Sequence, residues 1–466
     1  SEWVQECLKR STKVDGELHA LLGDSEQNAM AMAEALDRKI ANNEALGPLA
    51  GVPIALKDNL VTRGQTTTAG SRILEHWKPV YDAHVVQKLA NADAIFVGKT
   101  NLDEFAMGSS TENSAFGATH NPWDLNCIPG GSSGGSAVAV SAGMSCVSLG
   151  SDTGGSIRQP AALCGVMGLK PTWGRVSRFG LIAFASSLDQ IGPFGRCSED
   201  LAVTLETIAG HDPRDSTSVD MSVPQYSQTL RNGIEGLRIG IPKEYFGEGL
   251  NSEIGAAVQK AVSELEKAGA SVVDVSLPNT EHCLAAYYLI APAEASSNLS
   301  RFDGVRFGNR QAGDDIHEMY KHTRGQGFGP EVTRRIMLGT YALSAGYYDA
   351  YYGTAQKVRT LIREDFQRAF EQCDVLAGPT SPVTAPPLGE KSGDPLAMYL
   401  MDIYTISANL AGVPGISIPC GLSNSKMPIG LQLMAPWFAE ERLLQCTHAY
   451  EQRTDWHLKR PEVNCG

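Results

Sequence analysis

Apolar and polar positions along this chain repeat in two alternating rhythms. In residues 252–268 the apolar side chains fall at Ile254, Val258, Ala261, Val262 and Leu265, which is helical spacing. Gly269 stops that helix, and Ser271-Val272-Val273-Asp274-Val275 reads as the strand after it. A helix over 83–93 leads in the same way into Ala94-Ile95-Phe96-Val97. A longer helical run, 351–372, leads into Cys373-Asp374-Val375-Leu376-Ala377. Val52-Pro53-Ile54-Ala55-Leu56-Lys57-Asp58 is a further apolar run, and a lysine closes it. Helices alternating with short apolar strands predict an α/β sheet covered on both faces. There is no internal repeat and no long linker. The Pro- and Gly-dense stretch 378–395 reads as an ordered surface loop. The expected organisation is one domain over 1–466 with a helical insert at about 282–347.

Composition supports a folded enzyme-sized body. The chain has 466 residues, 42% hydrophobic and 20% charged, which is enough apolar material for a large core. Its net charge of −13 argues against this chain alone gripping a phosphate backbone, leaving any nucleic-acid role to a partner. Ten cysteines are scattered from Cys7 to Cys465 without a CxxC pair, the usage of reduced, buried thiols. Residues 1–22 are mixed and charged, unlike a signal peptide. No charge lies between Asp124 and Asp152, but Pro129 and many Gly and Ser interrupt the run. It reads as a buried loop–helix–strand segment and no membrane span, which needs about 20 mainly apolar residues.

Four familiar site patterns fail on inspection. Gly130-Gly131-Ser132-Ser133-Gly134 fits the GxSxG elbow, yet no downstream histidine stands in an acid–base context. Gly98-Lys99-Thr100 lacks the upstream glycine of a P-loop, since position 93 is Asp. His317 and His322 are five apart and project from different faces of a helix, so they make a poor zinc pair. Ser423-Asn424-Ser425-Lys426 matches S-x-x-K but reads as a hairpin turn between two strands.

Three segments remain: Lys57, the loop Gly130-Gly131-Ser132-Ser133-Gly134-Gly135-Ser136, and Ser151-Asp152-Thr153-Gly154-Gly155-Ser156. Gly-rich turns admit close ligand approach and offer N–H donors. A lysine leaving an apolar strand loses its proton more readily than usual. Together they suggest a serine–lysine hydrolytic site. In residue type, order and spacing they resemble the amidase signature family, which uses a Ser–Ser–Lys triad without histidine. The resemblance implies a central mixed, twisted β-sheet with helices on both faces. It makes Ser156 the nucleophile, Ser132 the bridging serine after a cis peptide bond, and Lys57 the base. The chemistry is coherent, because a serine hydroxyl needs a base to remove its proton. Lys57 can serve only when neutral, and lowering its ordinary value of about 10.4 to near 7 requires about 4 kcal/mol from burial. The amides of Thr153, Gly154, Gly155 and Ser156, read as opening a helix, form the expected oxyanion hole. Asp152 and Arg158 read as a buried ion pair that stiffens the loop.

Outside this core, Ser109-Ser110-Thr111-Glu112-Asn113-Ser114, residues 168–178, 183–193, 294–301 and 345–352 resemble one branch of the family. Its members hydrolyse glutamine as the glutaminase component of a heterotrimeric tRNA-dependent amidotransferase. That resemblance implies partner B and C subunits and a mischarged tRNA, Glu-tRNA(Gln) or Asp-tRNA(Asn), reached through the complex. It implies no cofactor here, ATP and Mg being used by a partner that receives the ammonia. Free glutamine needs one fixed cation and one fixed anion. By the family match these are Arg335 (or its neighbour Arg334) and Asp402. The competing expectation is a free-standing amidase for small amides; a silent assembly component conflicts with the intact triad. The implied compartment is a bacterial cytoplasm or an organelle's matrix or stroma.

Overall fold

The computed structural model describes residues 1–23, 25–390 and 395–463. Its strands are β1 Leu21–Leu22, β2 Pro53–Lys57, β3 Ile95–Thr100, β4 Val147–Asp152, β5 Met167–Lys170 and β6 Gln190–Gly195. They continue with β7 Arg238–Pro242, β8 Ser271–Val275, β9 Val375–Pro379, β10 Gly415–Leu422 and β11 Pro428–Met434. All join one 11-stranded sheet in the order β1-β3-β2-β4-β6-β5-β10-β11-β9-β7-β8. β2 runs parallel to β3 and β4, and β7 parallel to β8 and β9, while the remaining pairs are antiparallel. The sheet is therefore mixed, as expected.

Neighbouring residues along a strand enter different apolar clusters, the mark of a sheet buried on both faces. Ile54 and Leu56 belong to one cluster and Ala55 to another. Val375 and Ala377 likewise part from Leu376, and Leu433 from Met434. The uncharged segment before Asp152 folds as loop, helix Gly134–Ser141 and strand β4, with that helix wholly buried. The connection from β8 to β9 is entirely helical, through Cys283–Asn298, Ile316–Gly327, Pro330–Leu343 and Thr354–Gln372.

Element edges differ from expectation for local reasons. The helix over 83–93 is His84–Asn91, and its strand extends through Lys99 to Thr100. Lys99 is tolerated there because its ammonium meets Asp58 at 3.0 Å and the Leu60 carbonyl at 2.8 Å. The run 351–372 opens with a π-turn, Asp349–Gly353, and becomes α-helical at Thr354. The next strand starts two residues late, at Val375, because Asp374 turns to bond Arg238 on β7. Gly378 and Pro379, read as loop, are strand residues opposite Gln432 and Leu431. Residues 391–394 of that expected loop lie outside the described residues, as does Cys465. The nine described cysteines are free thiols. Ser423 to Lys426 form the β10–β11 turn, and His317 and His322 sit exposed on one helix.

Candidate active site

β2 and β4 lie side by side and parallel, so Lys57 and Ser151–Asp152 reach the same, carboxyl, edge of the sheet. Ligands of open α/β sheets characteristically bind at that edge. The loop at Gly130–Ser133 folds over it. Gly131 N–H donates to Gln159 Oε1 at 3.0 Å, and Thr111 Oγ1 donates to the Gly130 carbonyl at 2.8 Å. Only glycine fits at 131, since a Cβ there would lie 2.2 Å from Asp103 Oδ2. The Gly131–Ser132 peptide is cis. Ser133 N–H donates to the Ser156 carbonyl at 3.2 Å, tying the two Gly/Ser segments together.

Lys57 is fully buried beneath this loop. Its Nζ donates to Ser132 Oγ at 2.7 Å, Ser133 Oγ at 2.8 Å and Ser151 Oγ at 3.0 Å. Burial pulls the amine down to about 7, against the opposing pull of Asp103, Asp152 and Asp189. Near neutrality the group therefore divides between ammonium and amine, as a general base requires.

Ser156 is 8% exposed, on the turn between β4 and the helix Arg158–Cys164. Asp152 organises this turn from within. Its carboxylate accepts from the amides of Gly155 at 2.9 Å and Ile157 at 3.1 Å. It also accepts from Arg158 Nη2 at 3.1 Å and Asn409 Nδ2 at 2.8 Å. Burial would raise the Asp152 carboxyl, but Arg158, Lys170 and Asn409 outweigh it and hold it at about 2. The Asp152–Arg158 pair is fully buried, as read from sequence.

Two details depart from expectation. The helix begins at Arg158, so the four expected oxyanion donors belong to the turn before it. Of them, the Gly155 amide is committed to Asp152, because Gly155 takes a left-handed φ of +144° that turns its N–H back toward that carboxylate. The amides of Thr153, Gly154 and Ser156 have no intramolecular partner among the described residues. In addition, no side-chain hydrogen bond joins Ser132 to Ser156 in this arrangement. Catalytic hydrogen bonds of this kind often close only around substrate.

Arg335 and Asp402 lie on opposite sides of this turn. Arg335 is buried in the helix Pro330–Leu343, paired with Glu331 at 2.8 Å. Its guanidinium lies 5.4 Å from the ring centres of both Tyr288 and Tyr399 and 5.6 Å from that of Phe184. It walls a cavity of about 140 Å³ shared with Gly108, Ser110 and Tyr399, while Arg334 sits half-exposed at its rim. Asp402 Oδ2 accepts from Ser109 Oγ, and its other oxygen, Oδ1, is buried without a partner. That oxygen faces the nucleophile turn, where a Cβ on Gly155 would lie 3.2 Å from it. Burial pushes the Asp402 carboxyl up to about 7, opposed by Ser109 and assisted by Asp152.

Sequence reasoning missed Ser133 and Ser151 as contacts of Lys57, and Ser109, Gln159 and Asn409 as supports. Ser133 and Ser151 sit inside the segments it singled out. Composition alone does not tell which serine of a run turns inward. Among the described residues, no group of three or more His, Cys, Asp or Glu is placed to hold a metal ion. No described helix is long and apolar enough to cross a membrane.

Residues 2–444 match the family model described as Amidase. The chain belongs to the amidase signature family. Among amidase relatives, the glutamyl-tRNA(Gln) amidotransferase A subunit of Moorella thermoacetica is 60% identical, covering 98% of this chain and 93% of its own. Its counterpart from Microcystis aeruginosa is 57% identical over 99% and 95%. Among solved amidase structures, the glutamyl-tRNA(Gln) amidotransferase A subunit of Thermotoga maritima is 44% identical with a TM-score of 0.83, covering 99% and 94%. The peptide amidase of Stenotrophomonas maltophilia shares the fold at 32% identity and TM-score 0.85, covering 99% and 95%.

Proposed function

We propose that this chain is the glutamine-hydrolysing component of a tRNA-dependent amidotransferase. The observation that carries the reading is the unpartnered Asp402 Oδ1 beside the nucleophile turn, with the buried Arg335 in the adjoining cavity wall. A zwitterionic amino acid asks for that pair of charges, and a simple amide does not. Identity of 56–60% to relatives bearing that name, over nearly the whole chain, supports the same assignment.

In this reading neutral Lys57 draws a proton from Ser132, which draws one from Ser156. Ser156 Oγ then attacks the side-chain amide carbon of glutamine. The free amides of Thr153, Gly154 and Ser156 hold the oxyanion. The proton returns through Ser132 to the leaving nitrogen, the C–N bond breaks and ammonia departs. Water then attacks the acyl-Ser156 ester with the same base, releasing glutamate. Asp402 holds the α-ammonium and Arg335 the α-carboxylate.

This chain uses no cofactor of its own, and partner B and C subunits use ATP, Mg and the ammonia on a mischarged tRNA. The test is purification with partner chains, followed by glutaminase assays with and without ATP and Glu-tRNA(Gln). Co-purification and a rate that rises with both additions support the reading. A chain that stays alone and hydrolyses simple amides as well as glutamine contradicts it.

A further inference from the structure

Away from the catalytic edge lies a second groove of about 420 Å³, and the reading above gives it no role. Two indoles, Trp173 and Trp437, and the ring of Phe438 line it, with Arg359 and Arg363 of the helix Thr354–Gln372 beside them. Arg363 stands 5.2 Å over the Trp437 ring and makes no ion pair or hydrogen bond among the described residues. Arg359 differs, being spent on the Leu410 and Ser187 carbonyls at 2.9 Å each. The groove thus contains one cation whose counter-charge the chain does not supply, although the chain is acidic overall.

The aromatic wall is specially built. Phe438 holds a left-handed φ of 65°, a costly conformation for a bulky residue, fixed by its amide bonding Thr172 Oγ1 at 2.8 Å. Trp173 Nε1 is a buried donor without a partner. Aromatic rings framing an arginine are the composition of an interface anchor site. Arginine over an indole favours a planar carboxylate, which it can grip in two places.

We infer that this groove is the docking site for a carboxylate set beside an apolar or aromatic side chain on a partner polypeptide. The carboxylate pairs with Arg363 and the apolar group lies between the indoles. The partner's existence rests on the proposed function, but the carboxylate site itself does not. The groove floor also connects to the catalytic turn. Trp437 Nε1 donates to the Ala411 carbonyl at 3.0 Å, at the end of the helix Ile406–Ala411. Asn409 of that helix bonds both Asp152 and Arg158. An occupant therefore braces the element that supports the nucleophile turn.

The test is a titration of the isolated chain, followed by tryptophan fluorescence, with N-acetylphenylalanine and with its amide. The acid should bind saturably and at least tenfold more tightly than the amide. Arg363→Gln should bring the acid to the level of the amide, Arg363→Lys should keep part of the preference, and Trp437→Phe should remove most of the signal. Equal binding of acid and amide, no saturation by either, or indifference to Arg363→Gln overturns the carboxylate site. In the co-purified complex, Arg363→Glu should weaken partner binding at least tenfold, with the variant's thermal melt unchanged. Unaltered assembly overturns the partner assignment. Should the wild-type chain have no partner at all, the proposed function fails, and the titration still decides the site.

Discussion

Lys57 Nζ and Ser132 Oγ stand 2.7 Å apart under a loop that closes both off from water. Burial that holds the amine at about 7 also sets when it can act. The neutral form grows as pH rises through that value, so kcat/KM should climb about tenfold per pH unit below 7 and level off above it. Lys57→Arg carries a guanidinium that stays charged, and should lose about 10²–10⁴-fold at every pH. A pH–rate series on both proteins checks this.

Ser133 and Ser151 share Lys57 with Ser132. Their oxygens accept from the ammonium and so favour the charged amine. Ser151→Ala should therefore move the acid limb of the profile to lower pH, with the sheet intact by circular dichroism. A limb that stays in place or moves upward would show that Ser151 does not tune the base.

Asp402 offers Oδ1 to the ammonium of glutamine, and its carboxyl titrates at about 7 through burial. Protonation as pH falls through 7 removes the anion, so KM for glutamine should rise on acidification. Asp402→Asn should raise KM about 10–100-fold, the scale of one charge-assisted hydrogen bond, and flatten its pH dependence. A glutamine analogue without the α-amino group should hardly notice. Steady-state kinetics on both substrates separates the outcomes.

The Asp152–Arg158 pair is buried on both sides, so removing one partner strands the other. Arg158→Met should cost about 3–5 kcal/mol of stability, read by urea denaturation. The folded Asp152 carboxyl sits at about 2 against an ordinary 3.8. Its contribution is thus complete above about 3.8 and lost as pH falls through 2.

Much of this was legible in the sequence where one physical signal dominates. The helix over 252–268 and the strand after it follow from spacing and a glycine stop, and the structure places them at Ser252–Lys267 and Ser271–Val275. Edges set by long-range partners were not legible. β3 runs on through Lys99 because Asp58, forty-one residues earlier in sequence, neutralises it, and β9 starts late because Asp374 bonds Arg238. At the site, residue types and order pointed to Lys57, Ser132 and Ser156. The commitment of the Gly155 amide to Asp152 depends on a backbone angle, and the roles of Ser133 and Ser151 depend on which way each hydroxyl turns.

Ser156→Ala should abolish glutamine hydrolysis in the assembled complex yet leave amidation driven by added ammonia near its usual rate. Loss of both would mean that the two chemistries share one site.

The most direct measurement is to quench the enzyme during glutamine turnover and map the γ-glutamyl adduct by peptide mass spectrometry. The account predicts the adduct on Ser156, accumulating less as pH falls below 7 and absent in Lys57→Ala. An adduct on Ser132, Ser133 or any other side chain would contradict it.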